Sequence, residues 1–110
     1  MNEPISLAKA FENISSYSYK CWLFLSEVEK WTLDSPCLVI ECVEVPPDQE
    51  DEPKAGYPDL ALRHNMMITL EIATVQDILQ NAKSQKPDAQ GDDLFKAFIY
   101  YYDYDAFIEF

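Results

Sequence analysis

The sequence predicts one α+β domain: a small, mostly antiparallel sheet of three to four strands with helices packed on one face. Three observations carry this. Apolar residues recur at helical spacing near the start of the chain and in two stretches of its second half. Between them lie apolar segments of strand length, bounded by Pro, Ser, Asp and Gly. Strands and helices come in blocks rather than in strict alternation, which favours α+β over a parallel sheet. At 110 residues the chain suits a single domain, 1–110, and its 48% of hydrophobic residues suffice for a core without staples. No internal repeat is visible.

Residues 4–14 read as a first helix, with Ile5, Ala8, Phe11 and Ile14 at helical spacing and Lys9 and Glu12 on the other face. Ser15 and Ser16 end it. Residues 19–25 are aromatic and apolar and read as a strand, followed by a polar stretch, 26–30, that suits a turn of helix. Trp31 to Leu33 reads as a short strand before the Asp34-Ser35-Pro36 turn. Residues 37–45 open with a continuous apolar run, the mark of a central, well-buried strand, and alternate imperfectly towards their end. Residues 46–59 carry four prolines and a block of acids, which predicts a long exposed loop. Loops longer than about 12 residues in compact domains tend to be functional or disordered. Residues 60–65 support no assignment. Residues 66–72 read as a long strand, with Met66, Ile68, Leu70 and Ile72 alternating against Met67, Thr69 and Glu71. Thr74 is the expected N-cap of a second helix, with Asp77 in place of the usual Glu or Gln of a capping box. Val75, Ile78, Leu79 and Ala82 form its apolar stripe, and Pro87 stops it. Gly91 opens a last helix through Leu94, Phe95, Phe98, Tyr101 and Tyr102.

Charge narrows the function. Twenty Asp and Glu against eight Lys and Arg leave a formal net charge of -12, a field that repels nucleic-acid phosphates and anionic membrane and attracts basic surfaces. Direct nucleic-acid binding needs a basic stripe and is not expected. The chain is no disordered acidic tail, since such tails lack aromatics and this one has seven Tyr, six Phe and two Trp. Cys21, Cys37 and Cys42 are odd in number, show no C-x-x-C spacing and sit in apolar runs, which suits buried thiols in a reducing compartment. The Met-Asn-Glu-Pro start shows no signal peptide, and no apolar run approaches the roughly 20 residues of a membrane span. The expected location is the cytoplasm.

Catalysis is not expected. His64 is the only histidine, and no local motif pairs it with a nucleophile; it reads as a partly exposed loop residue. No cofactor motif of the G-x-G-x-x-G or Walker type occurs. The carboxylates at 48–52 and 103–105 do not follow the calcium-loop pattern, so no metal is expected.

Two segments carry the binding expectations. In the first, Asp48, Glu50, Asp51 and Glu52 would steer a cationic partner, raising association rate more than affinity; the alternative is a solvated turn. In the second, Tyr100, Tyr101, Tyr102 and Tyr104 cover more than one helical face, so some must reach solvent beside Asp103 and Asp105. Rigid aromatic area beside acids suits a basic protein, with Tyr102, Asp103, Tyr104 and Asp105 as anchors; the alternative is that the rings complete the core.

The run Thr74-Val75-Gln76-Asp77-Ile78-Leu79-Gln80-Asn81-Ala82, then Gln85-Lys86-Pro87, then Ala97-Phe98-Ile99-Tyr100-Tyr101-Tyr102-Asp103-Tyr104-Asp105-Ala106-Phe107 resembles a family of small uncharacterised bacterial domains with a Tyr-Tyr-x-x-Asp-Ala-Phe ending. Asp34-Ser35-Pro36-Cys37-Leu38-Val39 is similar to that family's central strand. The resemblance covers about half the chain and transfers no functional residues. Small size and acidity are similar to immunity proteins of bacterial toxin systems, including contact-dependent growth inhibition. The resemblance therefore implies an immunity protein that binds a co-encoded basic toxin, such as a nuclease, and blocks its substrate site. Alternatives are a phage-encoded inhibitor or nucleic-acid mimic of a host protein, and a homo-oligomer with a tyrosine-lined self-interface.

Overall fold

The computed structural model describes residues 3–110. Met1 and Asn2, on which the leader argument partly rested, lie outside them. The chain forms an antiparallel four-stranded sheet in the order β1-β3-β2-β4, built from β1 (Ile5–Ser6), β2 (Trp22–Ser26), β3 (Pro36–Ile40) and β4 (Met66–Glu71). Helices α1 (Leu7–Glu12), α3 (Ile72–Gln85) and α4 (Gly91–Tyr104) pack on one face, as the sequence predicts, and a short α2 (Asp59–Arg63) lies on the other.

Alternation along the strands sorts the apolar side chains into two cores. Leu23 and Leu25 of β2 and Cys37 of β3 meet Phe11, Val75, Ile78, Leu79 and Phe98 in the larger one. Phe24 and Leu38, one residue out of phase, face Ala61 and Met66 in a smaller core beneath the acidic loop. Strand β4 contributes to both. The pairs Trp22↔Glu71 and Phe24↔Ile68 are out of step by one residue, which marks a bulge. Met66 and Ile68 therefore face the smaller core, while Leu70 and Ile72 face the larger. Strict alternation predicts all four on one face. At this irregularity the Thr69 hydroxyl donates to the Leu23 carbonyl at 2.7 Å.

Several boundaries differ from expectation, each for a hydrogen-bonding reason. The first helix starts at Leu7 rather than residue 4, because Ser6 stays extended and its hydroxyl caps the Lys9 N–H at 3.1 Å. The N–H groups of Leu7 and Ala8 bond the carbonyls of Ser35 and Leu33, leaving Ile5 free to pair with Cys37. Residues 27–29 form bends after Ser26, the last residue of β2, whose hydroxyl accepts from the N–H groups of Val28 and Glu29. Residues 31–33 are not a strand: Trp31 donates its indole N–H to the Ser26 carbonyl at 2.7 Å, and the Thr32 N–H bonds the Ser35 hydroxyl. Strand β3 is interior, as expected, but stops at Ile40 instead of Val45. Its partner β2 begins opposite, at Trp22, after a turn in which the Cys21 N–H bonds the Ser18 carbonyl. The second helix begins at Ile72, and Thr74 is not its cap. The Ile72 N–H, a donor that a helix start leaves open, bonds the Cys21 carbonyl at 2.9 Å, so strand passes into helix with no loop.

Helix α4 starts at Gly91 as predicted, and the Asp93 carboxylate accepts the Gln90 N–H at 2.9 Å at its start. It ends at Asp105, in the left-handed region at φ 55°, whose N–H bonds the Tyr101 carbonyl at 2.7 Å. The chain then folds back: Ile108 is buried, and the Gln85 amide donates to the Ile108 carbonyl and accepts from the Phe110 N–H. No helix among the described residues is long and apolar enough to cross a membrane.

Candidate protein-binding surfaces

The acidic loop is a chain of tight turns. Asp48 lies in a 3-10 turn, Pro47–Gln49, and i to i+3 backbone bonds follow at Gln49, Glu52, Ala55 and Tyr57. These fix the backbone while leaving Asp48, Glu50, Asp51 and Glu52 exposed. Three tethers hold the loop to the body. The Val43 N–H bonds the Gly56 carbonyl at 2.9 Å. Lys54, at φ 64°, reaches Glu27 with an Nζ–Oε1 distance of 3.0 Å. The Tyr57 ring packs edge-on against Phe24, and its hydroxyl accepts the Ile68 N–H of β4 at 3.1 Å. That last bond satisfies a donor on a sheet edge that would otherwise lie open. Gly56 is required: its φ is +83°, and a Cβ there would stand 3.3 Å from Val45 Cγ2.

The tyrosines at the end of α4 divide as their helical positions dictate. Leu94, Ala97 and Phe98 are buried, and Tyr101 continues that stripe, its ring tilted against Phe107 at 5.5 Å between centroids. Tyr102 is half-buried and meets Trp31 edge-on at 5.0 Å. Tyr100 lies against Tyr104 at 4.7 Å, and Tyr104 is 67% exposed. Asp103 and Asp105 are exposed at the negative end of the helix dipole, and the last turn carries no basic residue. Acids there oppose the dipole, by roughly 0.3–1 kcal/mol each at an exposed site.

The sheet separates the two surfaces. The loop is tethered through Tyr57 to the smaller core, whereas α4 packs into the larger one on the opposite face. The structure thus leaves Asp48, Glu50, Asp51 and Glu52 exposed on one loop, sends Tyr102 and Tyr104 to different sides of α4 beside the exposed Asp103 and Asp105, and does not join the two sets.

A feature that the sequence reading missed lies beside the loop. Residues 41–45 leave the sheet and turn their Val43 and Val45 side chains, with Pro53 and Leu62, into a groove of about 350 Å3. Val43 and Leu62 are 54% and 43% exposed. The alternation of Val43, Glu44 and Val45 is the available signal, and a strand reaching Val45 predicts the same pattern. A cleft of about 470 Å3 lies between α1 and α3, where Glu12 and Lys83 supply opposite charges and hence no net preference. His64 is exposed at the end of α2, its N–H bonding the Leu60 carbonyl. Among the described residues, no three His, Cys, Asp or Glu gather as metal ligands.

These features define a small acidic α+β domain with preformed aromatic and carboxylate surfaces. The chain belongs to the family described as a domain of unknown function (DUF7716), whose family model matches residues 4–110. No curated protein and no solved structure matches it.

Proposed function

We propose that this protein acts by binding a basic protein: as an immunity protein, it neutralises a co-encoded toxin, a nuclease in the first instance, by covering its substrate site. The observation that carries this reading is uncompensated charge on an ordered surface. Among the described residues, ion pairs engage Glu27, Asp59 and Asp93. The four loop acids have no such partner, although Lys54 stands two residues from Glu52. Sites that hold phosphates are electropositive, and carboxylates on a rigid inhibitor match that field. The resemblance to immunity proteins supplies the biological setting.

The test is co-expression with the product of the adjacent upstream gene. Expected are a stable complex that weakens as salt rises and rescue of growth inhibited by that product. A basic, growth-inhibiting neighbour that this protein neither binds nor neutralises overturns the reading.

A further inference from the structure

We infer that the groove between residues 43–45 and the acidic loop receives an arginine side chain of the basic partner. The inference rests on the basic-partner reading and deepens it by naming the contact.

Three features of the groove support it. Its walls are apolar where a long side chain would lie: Val43, Val45, Pro53 and Leu62 line it. Val43 and Leu62, on separate segments of the chain, are among the few large apolar side chains left open to water in this protein. Its rim is anionic: Glu44 and Glu52 also line it and are exposed. Lys54, the one cation among the lining residues, is drawn to Glu27 at 3.0 Å, so it is not placed to neutralise them.

This combination selects for chemistry. An aliphatic ligand would leave two carboxylates facing apolar surface, and a bare cation would leave the valines and leucine wet. A side chain with an apolar stem and a charged head satisfies both, as long basic residues do when the stem lies on apolar surface. Arginine suits the site better than lysine because guanidinium is more weakly hydrated and offers planar donors to more than one carboxylate. The groove is also preformed. The Val43 N–H bond to Gly56 and the turns from Gln49 to Tyr57 fix the backbone of residues that line it before any partner arrives. Little ordering cost then opposes binding.

The test uses the whole protein, isotopically labelled, titrated at millimolar concentration with the capped tripeptide Gly-Arg-Gly. Two controls carry citrulline, the uncharged isostere, or lysine in place of arginine. Expected are saturable shifts at the amides of Val43, Glu44, Val45, Gly56 and Leu62, at least tenfold weaker with citrulline and several-fold weaker with lysine. The same shifts should be lost in the double variant Glu44→Gln, Glu52→Gln, whose exposed positions leave the fold intact. Equal responses to arginine and citrulline, or shifts centred on residues 103–105, overturn the groove assignment. So does an equal response to lysine, which removes the preference for arginine. In each of these cases the basic-partner reading stands or falls separately, on the co-expression test. A retained complex that the double variant binds with unchanged affinity overturns the groove alone.

Discussion

Cys37 shows how burial decides the chemistry of a single side chain. It is fully buried in the larger core, and burial pushes its thiol up to about 12. Cys42, on the segment that leaves the sheet, is exposed, and its partly desolvated thiol is raised less. A thiol reagent at pH 8 should therefore label Cys42 readily and Cys37 only as fast as the chain unfolds. The same shift has a stability consequence. Between about pH 9 and 12 the unfolded chain can release the Cys37 proton and the folded one cannot, so stability must fall as pH rises through that window. Denaturation midpoints measured across it, for the protein and for Cys37→Ala, test this: the variant should lose less over the window. Parallel slopes would refute the assignment.

Among the elements, α4 is the most revealing. Its first turn is well matched to the dipole, with Asp92 and Asp93, and its last turn is mismatched, with Asp103, Asp105 and no cation. The Asp93 carboxylate accepts the Gln90 N–H at 2.9 Å and pairs with Lys86 at 3.1 Å. The bond from Gln90, and after it Lys86, holds that carboxyl below its ordinary value. A depressed carboxyl stabilises the fold above its unfolded value, and the contribution is lost as pH falls from about 4 downward. Asp93→Asn should lower the midpoint at pH 7 and flatten the acid limb of the stability profile. An acid limb as steep as that of the parent protein would sink the argument. The opposite end of the helix is not optimised for folding, since its last turn has no basic residue to meet the dipole.

At the scale of the molecule the net charge of -12 dominates. Self-repulsion lowers the stability of a compact acidic chain and is relieved by screening. Raising sodium chloride from about 10 mM to 0.5 M, where the Debye length drops below 10 Å, should raise the thermal midpoint by several degrees, equivalent to about 1 kcal/mol. A flat or falling midpoint would mean that the acids lie too far apart to repel. Salt then acts in opposite directions on folding and on the proposed complex, so binding must be compared at salt concentrations where the protein stays folded. Self-association through α4 meets the same repulsion, since its exposed end presents Asp103 and Asp105 without a neighbouring base.

Periodicity was enough for the fold class, the stripe of α3, the start of α4 at Gly91 and the interior position of β3, because these follow from which residues must leave water. Composition was enough for the sign of the chain's own charge, -12. Other features depended on pairings between distant residues. Ser6 became a cap, and Ile5 a strand residue, because Leu33, Ser35 and Cys37 were waiting across the chain. The strand bulge that sends Leu70 to one core and Ile68 to the other is a register event between β2 and β4, invisible in either strand alone. The groove exists because β3 runs out of partner at Trp22, which frees Val43 to bond Gly56, thirteen residues further on. Local pattern determines what each segment can be, but hydrogen-bond partners far away in the chain decide where it stops and which side chains remain exposed.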